Sequence, residues 1–313
     1  MLTLLLLIIL GILAGACTRP PAAQPATHSC DTLSIMVTGD VMLARGVAEM
    51  IGRTADPAWP WHDVDSLFHT AAAVVVNLEC PVTDVVAPVN KQFNFRADPG
   101  LIMPMRRAGV THAALANNHT IDQGRRGLAD TRRRLIEDGI VPIGAGDSQA
   151  EALEPVIIGK GAVRAAVFNA VTLPLENWPY VDSLPDVCRA SVADIAEAVR
   201  RVKAEGTATH VIVVLHWGAE HQLTPTLQQR IDAHRLVNAG VDAVIGHHPH
   251  VLQPAEVYRG RPIYYSLGNF VFDQHAPANL ATVVLELRLT ADTIAARVHP
   301  ARIERCRPVP EIR

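Results

Sequence analysis

The chain has 313 residues, 49% of them hydrophobic and 19% charged, which excludes an intrinsically disordered protein and allows one large core or two smaller ones. The 28 basic and 31 acidic residues leave a formal net charge of −3, so no strong field indicates nucleic acid or anionic lipid as a partner. Five arginines do cluster within one predicted helix, and we interpret them as its solvated face. They are Arg125, Arg126, Arg132, Arg133 and Arg134.

The chain begins with an apolar run from Met1 to Ala16. The run is shorter than a membrane-spanning helix but suits the apolar core of a secretory signal, so we predict an exported protein. Residues 13–17, LAGAC, resemble the lipobox of bacterial lipoproteins, which predicts a lipidated Cys17 and attachment to the cell membrane. Because no Lys or Arg precedes the run, two alternatives stay open: a start codon placed too late, and ordinary cleavage that yields a secreted protein.

Residues 18–32 are rich in Pro and Ala without apolar periodicity, which is typical of a flexible tether. We therefore predict a leader at 1–17, a tether at 18–32 and a single folded domain at 33–313. With Cys17 lipidated, an even number of cysteines would remain in an oxidising compartment, and we expect one disulfide whose pairing is open. The candidates are Cys30, Cys80, Cys188 and Cys306. Cys80 follows an apolar run and is alternatively a small core residue.

Within the predicted domain, apolar runs of strand length alternate with amphipathic segments of helix length, the pattern of sheets covered by helices. The predicted strands are 33–38, 72–76, 112–116, 163–168, 210–215, 242–245, 262–266 and 281–289. The predicted helices are 99–108, 124–138, 191–205 and 225–239. Residues 173–189 contain three prolines and predict a long surface loop.

Polar residues follow directly after five of the apolar runs. They are Asp40, Glu79, Asn117, Asn118, His119, His216, His247, His248 and His250. Ligands of such sheets bind beyond the carboxyl ends of the strands. We therefore expect the polar residues at these five strand ends, which we call the five tips, to meet. Two carboxylates, an amide and several imidazoles suit a divalent ion such as Mn, Fe or Zn better than an all-oxygen calcium site.

Each tip alone also has a structural interpretation. A Gly-Asp pair such as the one at Asp40 is a common turn, and residues 117–119 can cap the helix predicted from residue 124. Three imidazoles at one strand end are different, because they would be costly to bury without a ligand or partners. The combination of all five tips favours a metal site.

Eight short strings, in consistent order, resemble a known family. They are GDVMLARG at 39–46, NLE at 77–79, FNFRADP at 93–99, NNHTIDQG at 117–124, GAG at 144–146, HWGAE at 216–220, GHHPHVLQP at 246–254 and YSLGNFVFDQ at 265–274. From residue 33 onward the chain resembles the CapA family of poly-γ-glutamate capsule synthesis proteins, which is related in fold to the calcineurin-like metallophosphoesterases. The resemblance implies an α/β fold, a four-layer α/β/β/α sandwich of two mixed sheets flanked by helices.

The resemblance also implies a ligand set for one or two divalent ions. It consists of Asp40, Glu79, Asn118, His216, His248 and His250. The superfamily has a His where this chain has Met42, and a bridging Asp where it has Glu79. We prefer His248 to His247, because His-x-His spacing places His248 and His250 on one side of an extended strand.

Two further residues resemble a catalytic pair. His119 matches the His that protonates a leaving group, and Thr120 replaces the carboxylate that normally follows, although Asp122 can orient His119 instead. If the site is catalytic, bound ions would polarise a phosphoryl or acyl oxygen and activate a water molecule.

Three further residues are candidates for binding a substrate. Arg45 and Arg96 can bind a phosphate or the carboxylate of a glutamyl chain, and structural ion pairs are an equal alternative. Asn269 belongs to a segment that either borders the site or forms a tight turn.

The family resemblance implies an extracytoplasmic protein that assists synthesis or export of an anionic polymer such as poly-γ-glutamate, beside membrane subunits of a synthetase or exporter. Whether it is an enzyme is left open. The alternatives are a metal-dependent hydrolase of phosphoesters and a non-catalytic scaffold stabilised by metal, which Met42 favours.

Overall fold

A computed structural model describes residues 32–311, and the predicted leader, Cys17, Cys30 and most of the predicted tether lie outside that range. The strands are β1 (Leu33–Val41), β2 (Ala73–Leu78), β3 (His112–Ala114), β4 (Val141–Ile143), β5 (Ala145–Gly146), β6 (Val156–Lys160), β7 (Val163–Val171), β8 (Asp186–Val187), β9 (His210–His216), β10 (Ala243–His247), β11 (Ala255–Tyr258), β12 (Arg261–Tyr264), β13 (Asn269–Val271), β14 (Ala281–Leu289), β15 (Ile294–Glu304) and β16 (Arg307–Pro310). The α-helices are α1 (Arg45–Thr54), α2 (Asp65–Phe68), α3 (Ile102–Arg107), α4 (Gly124–Glu137), α5 (Gln149–Leu153), α6 (Val192–Glu205) and α7 (Leu227–Ala239). Within residues 32–311, no helix has both the length and the apolar character that crossing a membrane requires.

Two mixed sheets organise the domain. The first has the order β16-β15-β14-β1-β2-β3-β4, with β13 also paired to β1. Strands β1 to β4 of this sheet run parallel, and β14 to β16 are antiparallel. The second sheet has the order β11-β12-β10-β9-β7-β6, in which β7, β9, β10 and β12 run parallel. The carboxyl ends of the parallel strands therefore share one edge of each sheet.

Alternation along β1 shows how the layers stack. Ile35 and Val37 lie in an apolar cluster that also holds Val214 of β9 and Ile245 of β10, so this cluster fills the space between the two sheets. Met36 belongs instead to the cluster that includes the buried side chains of α3, α4, α6 and α7. Burial of each aliphatic side chain stabilises the folded state by about 1.5–3 kcal/mol. This gain fixes the face that every strand turns inward. The fold is a four-layer α/β/β/α sandwich of two mixed sheets flanked by helices, as predicted.

The two helices outside the second sheet begin at capping boxes. Ser191 precedes α6, and its side chain accepts a hydrogen bond from the Asp194 amide. Thr226 precedes α7, and its side chain accepts one from the Gln229 amide. Each of these helices ends at a glycine in the left-handed conformation. At the end of α6, Gly206 has a φ of 63°, which glycine adopts readily because it has no Cβ. These ends agree with the predicted bounds within two residues.

All eight predicted strands and all four predicted helices are present, with shifted bounds. The predicted helix 99–108 is in fact a 3-10 turn, Pro99–Leu101, followed by α3. The predicted loop 173–189 is irregular except for β8, which pairs with β5. The sequence missed several elements, among them α1 and β15. Most of the first half of β15 is exposed, so that strand has no apolar run to indicate it.

Three cysteines lie within residues 32–311, and no two of them are joined, so a disulfide among Cys80, Cys188 and Cys306 is wrong. A disulfide that involves Cys30 falls outside the described residues and stays a prediction. Cys80 is completely buried and its Sγ accepts a hydrogen bond from the amide of Leu43 at 3.4 Å. Burial raises the pKa of the Cys80 thiol to about 12, which makes it unreactive. The alternative interpretation of Cys80 as a small core residue is confirmed.

The arginine cluster lies on α4, and three of its members, Arg132, Arg133 and Arg134, pair with carboxylates. Arg132 forms ion pairs with Asp147 and Glu151, at 2.7 and 2.6 Å. Arg133 pairs with Asp130 on the same helix. These contacts match the interpretation of the cluster as a solvated helix face.

Candidate metal centre

Residues from both sheets meet at the carboxyl ends of the parallel strands. Asp40 lies near the end of β1, Glu79 directly after β2, and Asn118 shortly after β3, all in the first sheet. His216 is the last residue of β9 in the second sheet, and His248 and His250 follow β10. The convergence expected from strand order alone is present in the structure.

His216 is the hub of this group. Its Nε2 lies 2.9 Å from Oδ1 of Asn118, 3.1 Å from Nδ1 of His248 and 3.7 Å from Oε1 of Glu79. The other ring nitrogen lies 3.3 Å from Nδ2 of Asn77. His216 therefore connects the two sheets at the site.

His250 makes the second connection. Its Nδ1 lies 3.1 Å from Oδ2 of Asp40 and 2.9 Å from Oδ1 of Asn269, and its Nε2 lies 3.8 Å from Oε1 of Glu79. Asn77 donates to the other oxygen of Asp40 at 2.8 Å. Asn269 thus contacts a metal-ligand candidate and lies on β13, so its segment borders the site and Asn269 does not form a tight turn.

Glu79 provides the test of whether these residues fit a metal ion. Both of its carboxylate oxygens are buried and find no hydrogen-bond partner among residues 32–311. Leaving a buried charge unpaired costs about 3–5 kcal/mol. Ligand atoms of Glu79, His248 and His250 lie within 4.8 Å of one another, a spacing that a single cation can bridge. The residues fit a divalent ion.

The protonation of His216 and His248 agrees with that role. Burial and neighbouring imidazoles hold the pKa of His216 well below its usual range, and burial lowers the pKa of His248 to about 4. Both rings are therefore neutral near pH 7, as metal ligands must be. Burial opposes the charged form of His250, but the carboxylates of Glu79 and Asp40 outweigh it and raise its pKa to about 9.

His247 is directed elsewhere. Its Nε2 lies 2.7 Å from the carbonyl oxygen of Thr38, so its ring bonds to the backbone of the neighbouring sheet. The argument that selected His248 and His250 assumed an extended strand, and that assumption was wrong. Strand β10 ends at His247, and His248 and His250 have φ values of 97° and 58°. Left-handed backbone, rather than strand alternation, turns these two rings to the centre.

His119 and Asp122 form a pair beside the centre. Nδ1 of His119 lies 2.9 Å from Oδ2 of Asp122, which also accepts a hydrogen bond from the amide of Phe95 at 2.7 Å. Lys91 forms an ion pair with Asp122 and donates to the carbonyl oxygen of Asn118 at 2.7 Å. Burial lowers the pKa of His119, and Asp122 offsets part of this effect. Because Nδ1 is occupied, a proton exchanged with a ligand would pass through Nε2.

A cavity of about 220 Å³ opens next to these residues, and both His119 and His250 line it. Arg45 also lines it and pairs with Asp273 at 3.0 Å, so the substrate and ion-pair interpretations of Arg45 both have support. Arg96 does not reach this cavity. Its side chain is exposed and donates to the carbonyl oxygen of Thr83 at 3.1 Å.

Sequence reasoning missed Asn77, Lys91 and Glu220, the last of which lines the cavity. Asn77 was detectable, because alternation along β2 places residues 77 and 79 on the same side. Lys91 lies in an irregular segment, and its pairing with Asp122 across 31 positions has no signature in the sequence.

A four-layer α/β/β/α sandwich with candidate oxygen and imidazole ligands at its strand ends is the metallophosphatase type of fold. The family model "Bacterial capsule synthesis protein PGA_cap" matches residues 34–274, and the chain belongs to this family. The resemblance to CapA proteins is thereby confirmed.

Relatives agree with this membership. The "PGA biosynthesis protein CapA" of Bacillus subtilis (strain 168) is 30% identical over 289 residues, which cover 91% of this chain and 75% of the relative. The "Capsule biosynthesis protein CapA" of Bacillus anthracis is 30% identical over 318 residues, covering 97% and 76%. A hypothetical protein from Thermus thermophilus has a similar crystal structure, with a TM-score of 0.53 and 16% identity over 87% of this chain and 100% of that one, which supports the fold alone.

Proposed function

We propose that the protein takes part in capsule synthesis by binding or processing an anionic polymer, poly-γ-glutamate or a similar material, at a divalent-metal site. The family and the names of the two Bacillus relatives support the polymer. The observation that carries the metal site is the buried carboxylate of Glu79, which has no hydrogen-bond partner within residues 32–311 and faces two imidazoles.

The ligand chemistry favours Mn, Fe or Zn over Mg or Ca, because half of the candidate ligands are imidazole nitrogens. Those that would hold the ion are Asp40, Glu79, Asn118, His216, His248 and His250. A bound ion would stabilise negative charge on a carbonyl or phosphoryl oxygen. Asn77 and Asn269 fix two of these ligands by hydrogen bonds, as residues around metal sites commonly do.

The protein is proposed to act outside the cytoplasm, held at the cell membrane by a lipid on Cys17. The apolar leader, the lipobox-like residues 13–17 and the Pro-rich tether support this location. A membrane position would place the folded domain beside membrane subunits of a polymer synthetase or exporter, which are the proposed partners.

Deletion of the gene tests the proposal. Cells lacking it should lose most of their cell-associated γ-linked polymer, and the wild-type gene should restore it. Glu79→Gln and His250→Ala should fail to restore it, whereas Arg126→Gln, at an exposed position of α4, should succeed. Unchanged polymer after deletion would contradict the proposal.

The His119 pair favours metal-dependent hydrolysis as a second candidate. Asp122 holds His119 in the orientation that a proton donor needs. Met42 is buried and offers no nitrogen where the superfamily has an imidazole, so we expect only weak turnover of an aryl phosphate, stimulated by Mn. His119→Ala should reduce this turnover by roughly 10²-fold.

Phosphatase activity as high as that of a dedicated enzyme, and independent of His119, would contradict this mechanism. No turnover despite bound metal would favour polymer binding or a scaffold over hydrolysis.

A further inference from the structure

The cavity beside the metal centre carries opposite charges on its walls. We call it the rim pocket and define it by Arg45, Phe95, Glu220, His221 and Phe272, which line it together with His119 and His250. Its volume of about 220 Å³ leaves room for a group of the size of one amino-acid residue. The pocket is smaller than those that bind drug-sized ligands.

Strained backbone surrounds the rim pocket. Nine residues other than glycine have positive φ within residues 32–311, and four of them lie at the pocket or the adjoining centre. These are Arg45 (57°), His221 (59°), His248 (97°) and His250 (58°). Such conformations are unfavourable for residues with a Cβ and are kept mainly at functional sites. The strain at Arg45 and His221 indicates that the pocket is built, rather than left over between loops.

Arg45 is held rigidly in this wall. Its Nε and Nη2 pair with the two oxygens of Asp273, at 3.2 and 3.0 Å. Its guanidinium also lies over the rings of Phe95 and Phe272, 5.0 and 5.6 Å from their centres. Nη1 is the nitrogen that these contacts leave for a ligand, and a guanidinium fixed in this way suits a carboxylate.

The wall of the pocket also carries a carboxylate. Arg45 is paired with Asp273, and Glu220 adds a separate negative charge to the lining. His221 lies 3.8 Å from Glu220, but its Nδ1 faces the amide nitrogen of Asn279 at 3.3 Å. That nitrogen is a donor, so Nδ1 of His221 accepts the hydrogen bond. A ligand carrying only carboxylates would be repelled by Glu220, whereas a ligand that also carries an ammonium group would be attracted to it.

We propose that the rim pocket binds the amino-terminal residue of a γ-glutamyl chain, with the α-carboxylate on Arg45 and the α-ammonium group on Glu220. In a γ-linked chain only this terminal residue carries both groups on one carbon; inner residues carry the carboxylate and an amide. The inference rests on the proposed function and adds to it that the protein recognises a chain end rather than the middle of the polymer.

Binding can be measured by calorimetry on the metal-loaded full-length protein. The ligands are tri-γ-glutamate with a free amino terminus, its N-acetyl derivative and tri-α-glutamate, whose first residue has no free α-carboxylate. The free γ-linked peptide should bind at least about fivefold more tightly than either of the others, in line with the usual worth of a charge-assisted contact.

Two substitutions locate the contact. Glu220→Gln should weaken binding of the free peptide about as much as N-acetylation does, and should leave binding of the acetylated peptide unchanged. Arg45→Gln should weaken both γ-linked ligands. Glu197→Gln, at an exposed position of α6, is the matched control and should change nothing. Because Glu220 is half exposed, its variant should fold, and unchanged metal content and melting temperature confirm this.

Equal affinities for the free and acetylated γ-linked peptides, or additive effects of acetylation and Glu220→Gln, would overturn end recognition while leaving the proposed function intact. Absence of binding by every γ-linked peptide would overturn the proposed function as well.

Discussion

Replacing Glu79 by glutamine should abolish the response to metal ions without destabilising the metal-free protein. Both carboxylate oxygens are buried and have no hydrogen-bond partner in the described part of the chain, while Asp40 adds a second negative charge nearby. Burial and then Asp40 raise the pKa of Glu79 well above its usual range. In the absence of an ion this buried side chain destabilises the folded protein. The substitution removes its charge with little change of shape.

The magnitude follows from mass action. An ion at about 100 times its dissociation constant stabilises the folded state by roughly 2.7 kcal/mol if it binds only that state. A change of 1 kcal/mol shifts the melting temperature of a domain of this size by about 2–4 °C. The metal-loaded wild type should therefore melt roughly 5–10 °C above its metal-free form, and this difference should nearly vanish in Glu79→Gln.

The metal-free proteins should differ in their pH dependence. A glutamate whose folded-state pKa is raised contributes stability that is fully present below its ordinary pKa of 4.5 and is lost as the pH rises through the folded-state pKa. The Glu79→Gln variant does not lose this stability. Its free energy of unfolding should therefore exceed that of the metal-free wild type by a margin that grows as the pH rises above 4.5.

Thermal unfolding of chelator-treated protein, with and without added Mn, measures both effects. Glu286→Gln is the matched control, because this buried carboxylate has its own partners in Ser34 and His299 and should leave the metal response intact. A metal response that survives in Glu79→Gln would refute the assignment. A stability advantage of the variant that shrinks with rising pH would also refute it, because the fold would then stabilise the charged form of Glu79.

His247→Ala should retain the ion, since this ring bonds to the backbone of Thr38, whereas His250→Ala should lose most of it. Elemental analysis decides, and equal loss in both variants would show that the imidazoles are wrongly assigned. Metal affinity should rise by up to about tenfold per pH unit until about pH 9, because the ion displaces the proton that neighbouring carboxylates hold on His250. A competition titration against a chelating dye measures this, and a flat profile contradicts it. Cys17→Ser should release the protein from the membrane fraction. Recovery of wild-type protein in the soluble extracytoplasmic fraction would rule out the lipid anchor.

Much of the fold was predictable because its signals are local. Apolar runs predicted the strands, and amphipathic segments predicted helices such as α6 and α7. The meeting of Asp40, Glu79 and His216 followed from one topological rule, namely that parallel strands present their carboxyl ends at one edge. Short or exposed strands such as β13 and β15 lack these signals, and only pairing with a neighbour defines them.

The contacts that support the site were less predictable. Lys91 reaches Asp122 from an irregular segment, and Glu220 reaches the rim pocket from a loop, so neither lies at a strand end. Arg96 shows the opposite error. It lies inside a string typical of the family, yet the chain turns its side chain to solvent while its neighbours Phe95 and Ala97 are buried. A string of residues identifies a segment, but the backbone conformation decides which side chain faces the site.

The candidate ligands are divided between the sheets, so a bound ion would have a mechanical role. The first sheet carries the candidate oxygen ligands, Asp40, Glu79 and Asn118, and the second carries the candidate imidazoles, His216, His248 and His250. An ion held by both groups would link the carboxyl edges of the two sheets, where the apolar layer between them ends. Its removal would leave the buried carboxylate of Glu79 without a hydrogen-bond partner in the described part of the chain, beside the neutral ring of His216. We therefore expect metal binding to be coupled to the packing of the two sheets, so that removal of a ligand from either sheet should loosen the other at this edge.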